Sequence, residues 1–202
     1  NSVAEVSGLK DFADAKSQGD LVEEEFVEHC MDAGWTLIDF TARFRNKYNV
    51  PVAKSQDREI ELPDYCISKQ PYGSVSTLPS FVAEVKSKGP VKGDGLYWFD
   101  QYRFNYLKKI CHQFSYAGLL VFKHEPYDTP NLDNFYCATL EHADQNIKSL
   151  EWGGPARNGR RNKVYKWETD VFIPLKEFLN GELIKPIRHT FLLERNDKLV
   201  GV

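Results

Sequence analysis

The alternation of apolar and polar residues in the first part of the chain predicts a helix, three strands, a second helix and a fourth strand. Apolar residues recur at helical spacing in two segments and form short strand-like runs in four others. The helices are predicted at residues 20–33 and 96–115, and the strands at 35–43, 59–68, 80–86 and 116–123. This order predicts an α/β (α+β) fold with a mixed central sheet flanked by helices.

The remaining segments are polar or rich in glycine and proline. Residues 1–19 predict a short helix around 9–15 or a loosely ordered segment. Because no long linker divides the chain, a single domain is expected over 1–202, with a core over about 19–123 and a C-terminal elaboration over about 124–202. Loops are predicted at 45–58, 69–79 and 88–95, further strands at 134–141, 163–172 and 187–194, a turn around 152–155, and a short helix within 171–181.

The predicted strand over residues 80–86 carries two charged residues among apolar ones. Side chains alternate along a strand, so the apolar Phe81 faces one way with its alternate neighbours, and Glu84 and Lys86 lie together on the other face. A strand interior disfavours an acid, and a buried carboxylate needs a cation or a metal ion as its partner. The pattern therefore predicts a chemical role for this pair. A solvent-facing edge strand with a Glu84–Lys86 ion pair is the structural alternative.

A second acid follows a proline at Pro63-Asp64, in the strand that precedes this pair. Proline marks the edge or a bend of a strand, and a bend would direct Asp64 at its neighbour. Two carboxylates that share a divalent cation, with a lysine near the water or the phosphate, are typical of metal-dependent phosphodiester cleavage. Asp64, Glu84 and Lys86 are therefore predicted as catalytic residues, with the two acids as metal ligands. A turn acid at a strand entry is the alternative for Asp64.

Glu23 is a third candidate acid, in the first predicted helix. It shares a helical face with Phe26 and Cys30, so its carboxylate is available to a site on the inner side of that helix. Asp20 and Glu23 also fit a capping box, in which Glu23 would only satisfy the start of the helix. Both interpretations stay open. Glu25 is predicted on the polar face.

Composition limits the classes of protein without naming a function. The 202 residues, 42% of them hydrophobic and 13% aromatic, suit a globular domain that buries a core. We expect no membrane span and no signal peptide, because no apolar run is long enough. The four cysteines are scattered without a Cys-x-x-Cys pair, which favours reduced thiols in the cytoplasm over a zinc site. The net charge of −3 argues mildly against a protein that coats nucleic acid.

Local basic segments nevertheless suit contacts with the phosphates of DNA. One lies in the loop after the Glu84 strand, one is a glycine-containing run near residue 160, and one lysine belongs to a polar stripe on the second predicted helix. The predicted DNA contacts are Lys88, Lys92, Lys108, Arg157, Arg160, Arg161 and Lys163. An ordinary solvated surface is the alternative for each of these segments.

These motifs resemble the PD-(D/E)XK nuclease superfamily. The segment Gly19-Asp20-Leu21-Val22-Glu23 with Gly34-Trp35 resembles the opening helix of archaeal Holliday junction resolvases, and Pro63-Asp64 with Glu84-Val85-Lys86 resembles the superfamily motif. The similarity covers about residues 19–123. It implies a restriction-endonuclease-like αβββαβ core, to which the C-terminal part adds further strands.

The resemblance also implies roles for individual residues. It implies Mg²⁺, for which Mn²⁺ substitutes, held by Asp64 and Glu84. It implies that Lys86 is the catalytic lysine and that Glu23 is an auxiliary metal ligand or positions the water. Gln101 resembles a glutamine that members place near the site. Asn105 stands where some recombination nucleases have a tyrosine, which departs from that subgroup.

The sequence therefore predicts a metal-dependent DNA endonuclease that leaves a 5′-phosphate and a 3′-hydroxyl. DNA is the expected partner, and two copies acting as a homodimer are expected where both strands are cut. A non-catalytic nucleic-acid-binding protein of the same fold is the first alternative. An interaction protein in which the motif arises by chance is the second.

Overall fold

The structure, a computed structural model, describes residues 2–39, 44–45, 51–54, 59–69, 80–127, 129–155 and 161–181. Within these residues the helices are α1 (Ser2–Asp32), α2 (Gln101–Phe114), α3 (Leu140–Gln145) and α4 (Leu175–Leu179). The strands are β1 (Thr36–Asp39), β2 (Phe44–Arg45), β3 (Pro51–Lys54), β4 (Glu59–Glu61), β5 (Tyr65–Ser68), β6 (Phe81–Ser87), β7 (Tyr97–Asp100), β8 (Ala117–Lys123), β9 (Phe135–Thr139), β10 (Ser149–Pro155), β11 (Arg161–Trp167) and β12 (Ile173–Pro174).

Six strands form a mixed sheet in the order β1-β5-β6-β8-β9-β12. Strands β6 and β8 are parallel, which requires a crossover that α2 supplies, and the other neighbours are antiparallel. Tyr65 of β5 pairs with Ala83 of β6, so Asp64 adjoins Glu84. The predicted mixed sheet is confirmed, and so is the αβββαβ order, as α1, β1, β5, β6, α2 and β8.

The two faces of this sheet bury different apolar clusters. In β8, Leu119 and Val121 belong to the cluster beneath α1 and α4, whereas Leu120 and Phe122 belong to the cluster beneath α2. The second cluster also holds Tyr97, Phe99 and Trp167 of a three-stranded sheet with the order β10-β11-β7. The alternation predicted for β6 is confirmed, since Phe81, Ala83 and Val85 all join the first cluster. Glu84 and Lys86 therefore lie on the α2 face.

Residues beyond position 123 complete the first cluster. The indole nitrogen of Trp35, just after α1, donates to the carbonyl of Leu179 at 3.0 Å. The Trp35 ring stacks on Phe178 of α4 with centroids 5.3 Å apart, and Phe178 packs edge-on against Phe81 at 5.0 Å. Strand β9 adds the buried Phe135. The C-terminal part is thus built into the core around the Glu84 strand.

Several predicted element boundaries were wrong, and long-range pairing explains two of them. The helix predicted from residue 96 begins at Gln101, because the preceding four residues form β7 and pair with β11. Asp100 caps α2, accepting hydrogen bonds from the backbone N–H groups of Tyr102 and Arg103. The turn predicted at 152–155 is part of β10, which pairs with β11 through an irregular register. A Cβ on Gly153 would lie 3.1 Å from the carbonyl oxygen of Asn162, so the strand needs glycine there.

Other predicted elements also differ from the structure. The strand predicted at 59–68 is interrupted at 62–64, because Pro63 has no N–H to give to the ladder. Strand β3 lies within the predicted loop 45–58 and pairs with β2 and β4 in a small sheet of the order β2-β3-β4. The first helix is continuous from Ser2, so residues 1–19 contain neither a separate short helix nor a loose segment where they are described. A helix also follows β9, at 140–145. The predictions for 40–43, 70–79 and 187–194 lie outside the described residues.

Glu25 of α1 is buried, so its predicted position on the polar face was wrong. Lys123, at the end of β8, forms an ion pair with Glu25, and the backbone N–H of Asn131 donates to the same carboxylate at 2.6 Å. Lys123 also donates to the carbonyls of Tyr127 and Thr129, at 3.2 and 3.3 Å. Burial alone would raise the pKa of Glu25, but these donors outweigh it and hold the pKa below its usual value. The pair joins α1 to the loop after β8.

The four cysteines are free thiols, and Cys30, Cys66 and Cys137 are buried. Burial raises the pKa of each of these thiols. None of the helices in the described parts of the chain combines the length and apolar character needed to cross a membrane.

Gly118 of β8 provides a test of this packing. A Cβ there would lie 2.6 Å from Cγ of Leu140 and 2.9 Å from Sγ of Cys111. We expect Gly118→Ala to lower the free energy of unfolding by about 1–3 kcal/mol, as overpacking of a core does. Urea unfolding would measure it. Gly19→Ala is the control. A Cβ on Gly19 would meet no atom of a packed neighbour within 4 Å, so the substitution should stabilise α1 by about 0.5–1 kcal/mol. Equal stability of the two variants would contradict the packing.

Candidate active site

Asp64, Glu84 and Lys86 come together where the chain enters β5 beside β6. Asp64 Oδ2 accepts a hydrogen bond from the backbone N–H of Val85 at 2.8 Å. Lys86 Nζ lies 2.8 Å from Glu84 Oε1 and 3.7 Å from Asp64 Oδ2. Asp64 does stand at a strand entry, as the turn alternative has it, yet its carboxylate is directed at β6. The structure therefore brings the three predicted residues into one site.

Glu84 is held by two cations in the interior of the sheet. Its side chain is 2% exposed. Arg103 of α2 donates from Nε to Oε1 at 3.1 Å and from Nη2 to Oε2 at 3.0 Å, and Nη2 also donates to the Leu62 carbonyl at 3.0 Å. Burial alone would raise the pKa of Glu84, but Lys86 and Arg103 outweigh it and keep the pKa below its usual value. Because β6 lies between β5 and β8, the edge-strand alternative was wrong.

The other two members of the site have pKa values shifted in the opposite direction. Burial raises the pKa of Asp64, and the Glu84 charge raises it further, while Lys86 offsets only part of this. Burial alone would lower the pKa of Lys86, but Glu84 and Asp64 outweigh it and raise the pKa above its usual value. Lys86 is therefore a cation next to the two acids.

Glu23 adds a third carboxylate from the inner side of α1. Since α1 begins at Ser2, Glu23 lies well inside the helix, and the capping-box alternative was wrong. Burial raises its pKa to about 7, with the Asp64 charge as the next cause. The Tyr65 hydroxyl is hydrogen-bonded to Glu23. Lys86 lowers the pKa of Glu23, but burial and the neighbouring acids outweigh it.

The donor chemistry of the site fits a hard divalent cation. Asp64, Glu84 and Glu23 offer carboxylate oxygens, which Mg²⁺ prefers. In the parts of the chain that the structure describes, no three His, Cys, Asp or Glu side chains stand close enough together to hold a metal ion. Arg103 of α2 forms an ion pair with the Glu84 carboxylate at 3.0 Å. Two cations, Lys86 and Arg103, offset the charge of Glu84 and lower its pKa. The pKa values of Asp64 and Glu23 stay raised, so their negative charge is not fully offset.

The raised pKa of Glu23 predicts how stability depends on pH without metal. The pKa of Glu23 is about 7 in the folded protein, against an ordinary value of 4.5. The folded protein therefore holds this proton more tightly than the unfolded chain, and the stability that this adds at low pH is lost as the pH rises from 4.5 to about 7. We expect the Tm of Glu23→Gln to exceed that of the wild type by an amount that grows from acid to neutral pH. Thermal unfolding in chelator measures it. Glu24→Gln, at an exposed neighbour, should show no such trend, and a constant difference for Glu23→Gln would contradict the shift.

A solved structure is similar to this chain in fold. This structure is that of Hjc, a Holliday junction resolvase from the archaeal hyperthermophile Archaeoglobus fulgidus. The two chains share 12% sequence identity over 80% of this chain and 99% of that one, with a TM-score of 0.49. No protein-family model matches the chain, and no curated protein matches its sequence. The assignment of function therefore depends on the side chains of the site.

Gln101 lies beside this site without a hydrogen bond to its carboxylates among the described contacts. Its amide donates to the Tyr165 hydroxyl at 3.2 Å, and that hydroxyl donates to Asn105 at 3.5 Å. Arg103, two residues further along α2, makes the contact with Glu84 instead. The catalytic role of Gln101 stays a prediction.

The predicted DNA contacts divide into groups. Lys88 is half-buried with its ammonium 3.6 Å from the Trp98 ring centroid, and burial lowers its pKa to about 7, which weakens it as a phosphate ligand. Lys108 forms an ion pair with Asp144 at 2.5 Å. Lys92 is exposed in the loop after β6. Arg161 and Lys163 are exposed on β11 and line a cavity with Arg103, and Arg157 and Arg160 lie outside the described residues.

Arg103 is the member of the site that sequence reasoning missed. A cation in the first turn of a helix opposes the helix dipole, so it needs a negative partner nearby. Asp100 caps α2, and Arg103 occupies that first turn. Because the sequence predicted this helix from residue 96, Arg103 did not stand out as a first-turn cation, and the structure shows Glu84 as its partner.

Proposed function

We propose that the protein is a metal-dependent DNA endonuclease. The observation that carries the proposal is the meeting of Asp64, Glu84 and Lys86 at one point of the sheet, with Lys86 Nζ within 4 Å of both carboxylates. Excess negative charge at Asp64 and Glu23 supports the need for a cation there. The resemblance of the Pro-Asp and Glu-Val-Lys motifs to the PD-(D/E)XK nucleases supports the same chemistry.

Each residue has a part that follows from its position. Asp64 and Glu84 would hold Mg²⁺, and Glu23 would bind it or orient the attacking water. The bound ion lowers the pKa of a water and neutralises phosphate charge. Lys86, whose pKa the two acids raise, would stabilise the negative charge that develops on the phosphate. Cleavage would leave a 5′-phosphate and a 3′-hydroxyl.

The contact between Arg103 and Glu84 favours a second candidate, a nucleic-acid-binding protein without catalysis. An internal cation already satisfies Glu84, which removes part of its demand for metal. In the endonuclease, Arg103 would have to share the carboxylate or transfer its donors to the phosphate. The two candidates differ in one observable, the dependence of strand cleavage on Mg²⁺.

Nicking of supercoiled plasmid and of labelled duplex oligonucleotides tests the proposal. We expect cleavage by the wild type with Mg²⁺ and none in chelator. Asp64→Asn keeps an acceptor for the Val85 N–H but removes a carboxylate that would bind the metal ion. Loss of a residue that only supports a metal ligand costs about 10- to 100-fold in activity, so this variant should lose more. Asp170→Asn, at an exposed acid elsewhere, should cut normally. Equal activity in all three would end the assignment, and DNA binding without cleavage would favour the second candidate.

A further inference from the structure

Trp152 presents an aromatic ring to solvent beside a lysine of the neighbouring strand. It is 63% exposed on β10, and Lys163 lies opposite it on β11 with Nζ 5.4 Å from the ring centroid. Side chains alternate along β11, so Lys163 shares a face with Tyr165 and Trp167, which pack against α2. The face of β11 that packs against α2 through Tyr165 and Trp167 therefore also carries Lys163, beside the exposed Trp152.

Lys163 also lines a cavity of about 490 Å³. The cavity is lined by Asp100, Gln101, Tyr102, Arg103, Arg161, Asn162 and Lys163. Its volume falls within the roughly 300–1,000 Å³ of small-ligand sites. Three lining residues are cationic, and the carboxylate of the one acid, Asp100, accepts two backbone N–H groups of α2. The lining favours an anion.

Two features tie the cavity to the candidate active site and to aromatic ligands. Arg103 lines it while holding Glu84 at 3.0 Å, so a ligand in the cavity lies next to the acids. Tyr102, on the α2 side, is 68% exposed and stacks on Tyr106 with centroids 6.0 Å apart. One aromatic ring, Tyr102, therefore lines the basic cavity, and a second, Trp152, lies beside its lining residue Lys163.

Rings with exposed faces beside cations are the means by which proteins bind single-stranded nucleic acid, because bases stack on the rings and phosphates pair with the cations. Bases inside a duplex have both faces covered by their neighbours, so away from duplex ends an unpaired base is the one that can stack on Trp152. We propose that Trp152 and this cavity bind an unpaired nucleotide, and that the substrate is DNA with a single-stranded segment at the cleavage point. This substrate class rests on the proposed nuclease function.

Binding in chelator, where no strand is cut, tests the site. The probes are a fluorescent oligothymidylate, an abasic oligomer of the same length and a blunt duplex. We expect the wild type to bind oligothymidylate about 10-fold more tightly than the abasic oligomer, and Trp152→Leu to lose about 5- to 100-fold on oligothymidylate alone. Trp152→Phe keeps an aromatic face and should bind like the wild type. Leu150→Ala, at a 44% exposed residue of the same strand, should too.

Equal affinity of the wild type for oligothymidylate and the abasic oligomer would overturn the inference. So would a Trp152→Leu variant that weakens duplex and single strand alike, because the ring would then serve the fold or a partner protein. If plasmid nicking depends on Asp64 but binding does not depend on bases, the proposed nuclease function stands and this substrate class is wrong. Base-dependent binding that Trp152→Leu abolishes, without any cleavage, keeps the nucleotide site and rejects the nuclease.

Discussion

Lys86→Met is expected to slow DNA cleavage by about 10²- to 10³-fold, the usual effect of removing one group that stabilises transition-state charge. The structure holds Lys86 as a permanent cation 2.8 Å from Glu84 and 3.7 Å from Asp64. Metal affinity should stay the same or rise, because the variant removes a positive charge that competes for both acids. Glu84 keeps its contacts with Arg103, so the variant should fold.

The rate comes from single-turnover cleavage at saturating Mg²⁺, and the affinity from Mn²⁺ binding followed by electron paramagnetic resonance. Lys148→Met is the matched control, since Lys148 pairs with Glu168 on the exposed surface at 2.5 Å. It should cut at the wild-type rate. If Lys86→Met loses metal binding in proportion to activity, Lys86 serves the metal site and not the phosphate. If it cuts at full rate, its catalytic assignment is wrong.

The largest expected effect on stability comes from Lys123→Met, which should lower the free energy of unfolding by about 3–5 kcal/mol. Lys123 is fully buried and Glu25 is 6% exposed, so the substitution leaves a carboxylate in the interior without its cation. The carbonyls of Tyr127 and Thr129 also lose a donor. Because the pKa of Glu25 is lowered in the folded protein, the stability that the pair contributes is present above the usual pKa of glutamate and is lost as the pH falls.

Urea unfolding at neutral pH measures this effect, with an unchanged m-value as evidence that the same surface unfolds. Lys148→Met again serves as control and should unfold close to the wild-type midpoint, because exposed pairs contribute little. The double variant Glu25→Leu/Lys123→Met should recover much of the loss, since no buried charge remains. A double variant as unstable as the single one would show that the lost hydrogen bonds to the carbonyls of Tyr127 and Thr129, and not the unpaired carboxylate, cause the loss.

The part of the site that could be predicted depends on short sequence distances. Alternation along seven residues was enough to put Glu84 and Lys86 on one face, and the apolar neighbours of Glu84 indicated that it would be buried. Glu23 followed from helical periodicity. These are patterns that a strand or a helix imposes by itself, and the structure confirms each of the positions.

The parts that could not be predicted depend on distant partners. Residues 97–100 carry aromatic side chains compatible with a helix, and pairing with Trp167 and its neighbours makes them a strand. Glu25 has no local pattern that distinguishes it from a solvated acid, and its partner lies 98 residues away. No prediction was made for Arg103, because its partner Glu84 lies on a strand of the sheet and not on the same helix. Local patterns carry no information about such pairs.

The way in which Trp35 and Phe81 pack on α4 determines how far the chain can be shortened. A fragment ending at position 123 would contain every predicted catalytic residue and the whole αβββαβ order. It would also leave the Trp35 indole without its acceptor, Glu25 without the Asn131 N–H, and the apolar underside of β6 and β8 without β9 and α4. Such a fragment would expose a large apolar surface to water, and we expect it to aggregate during expression instead of yielding a minimal nuclease.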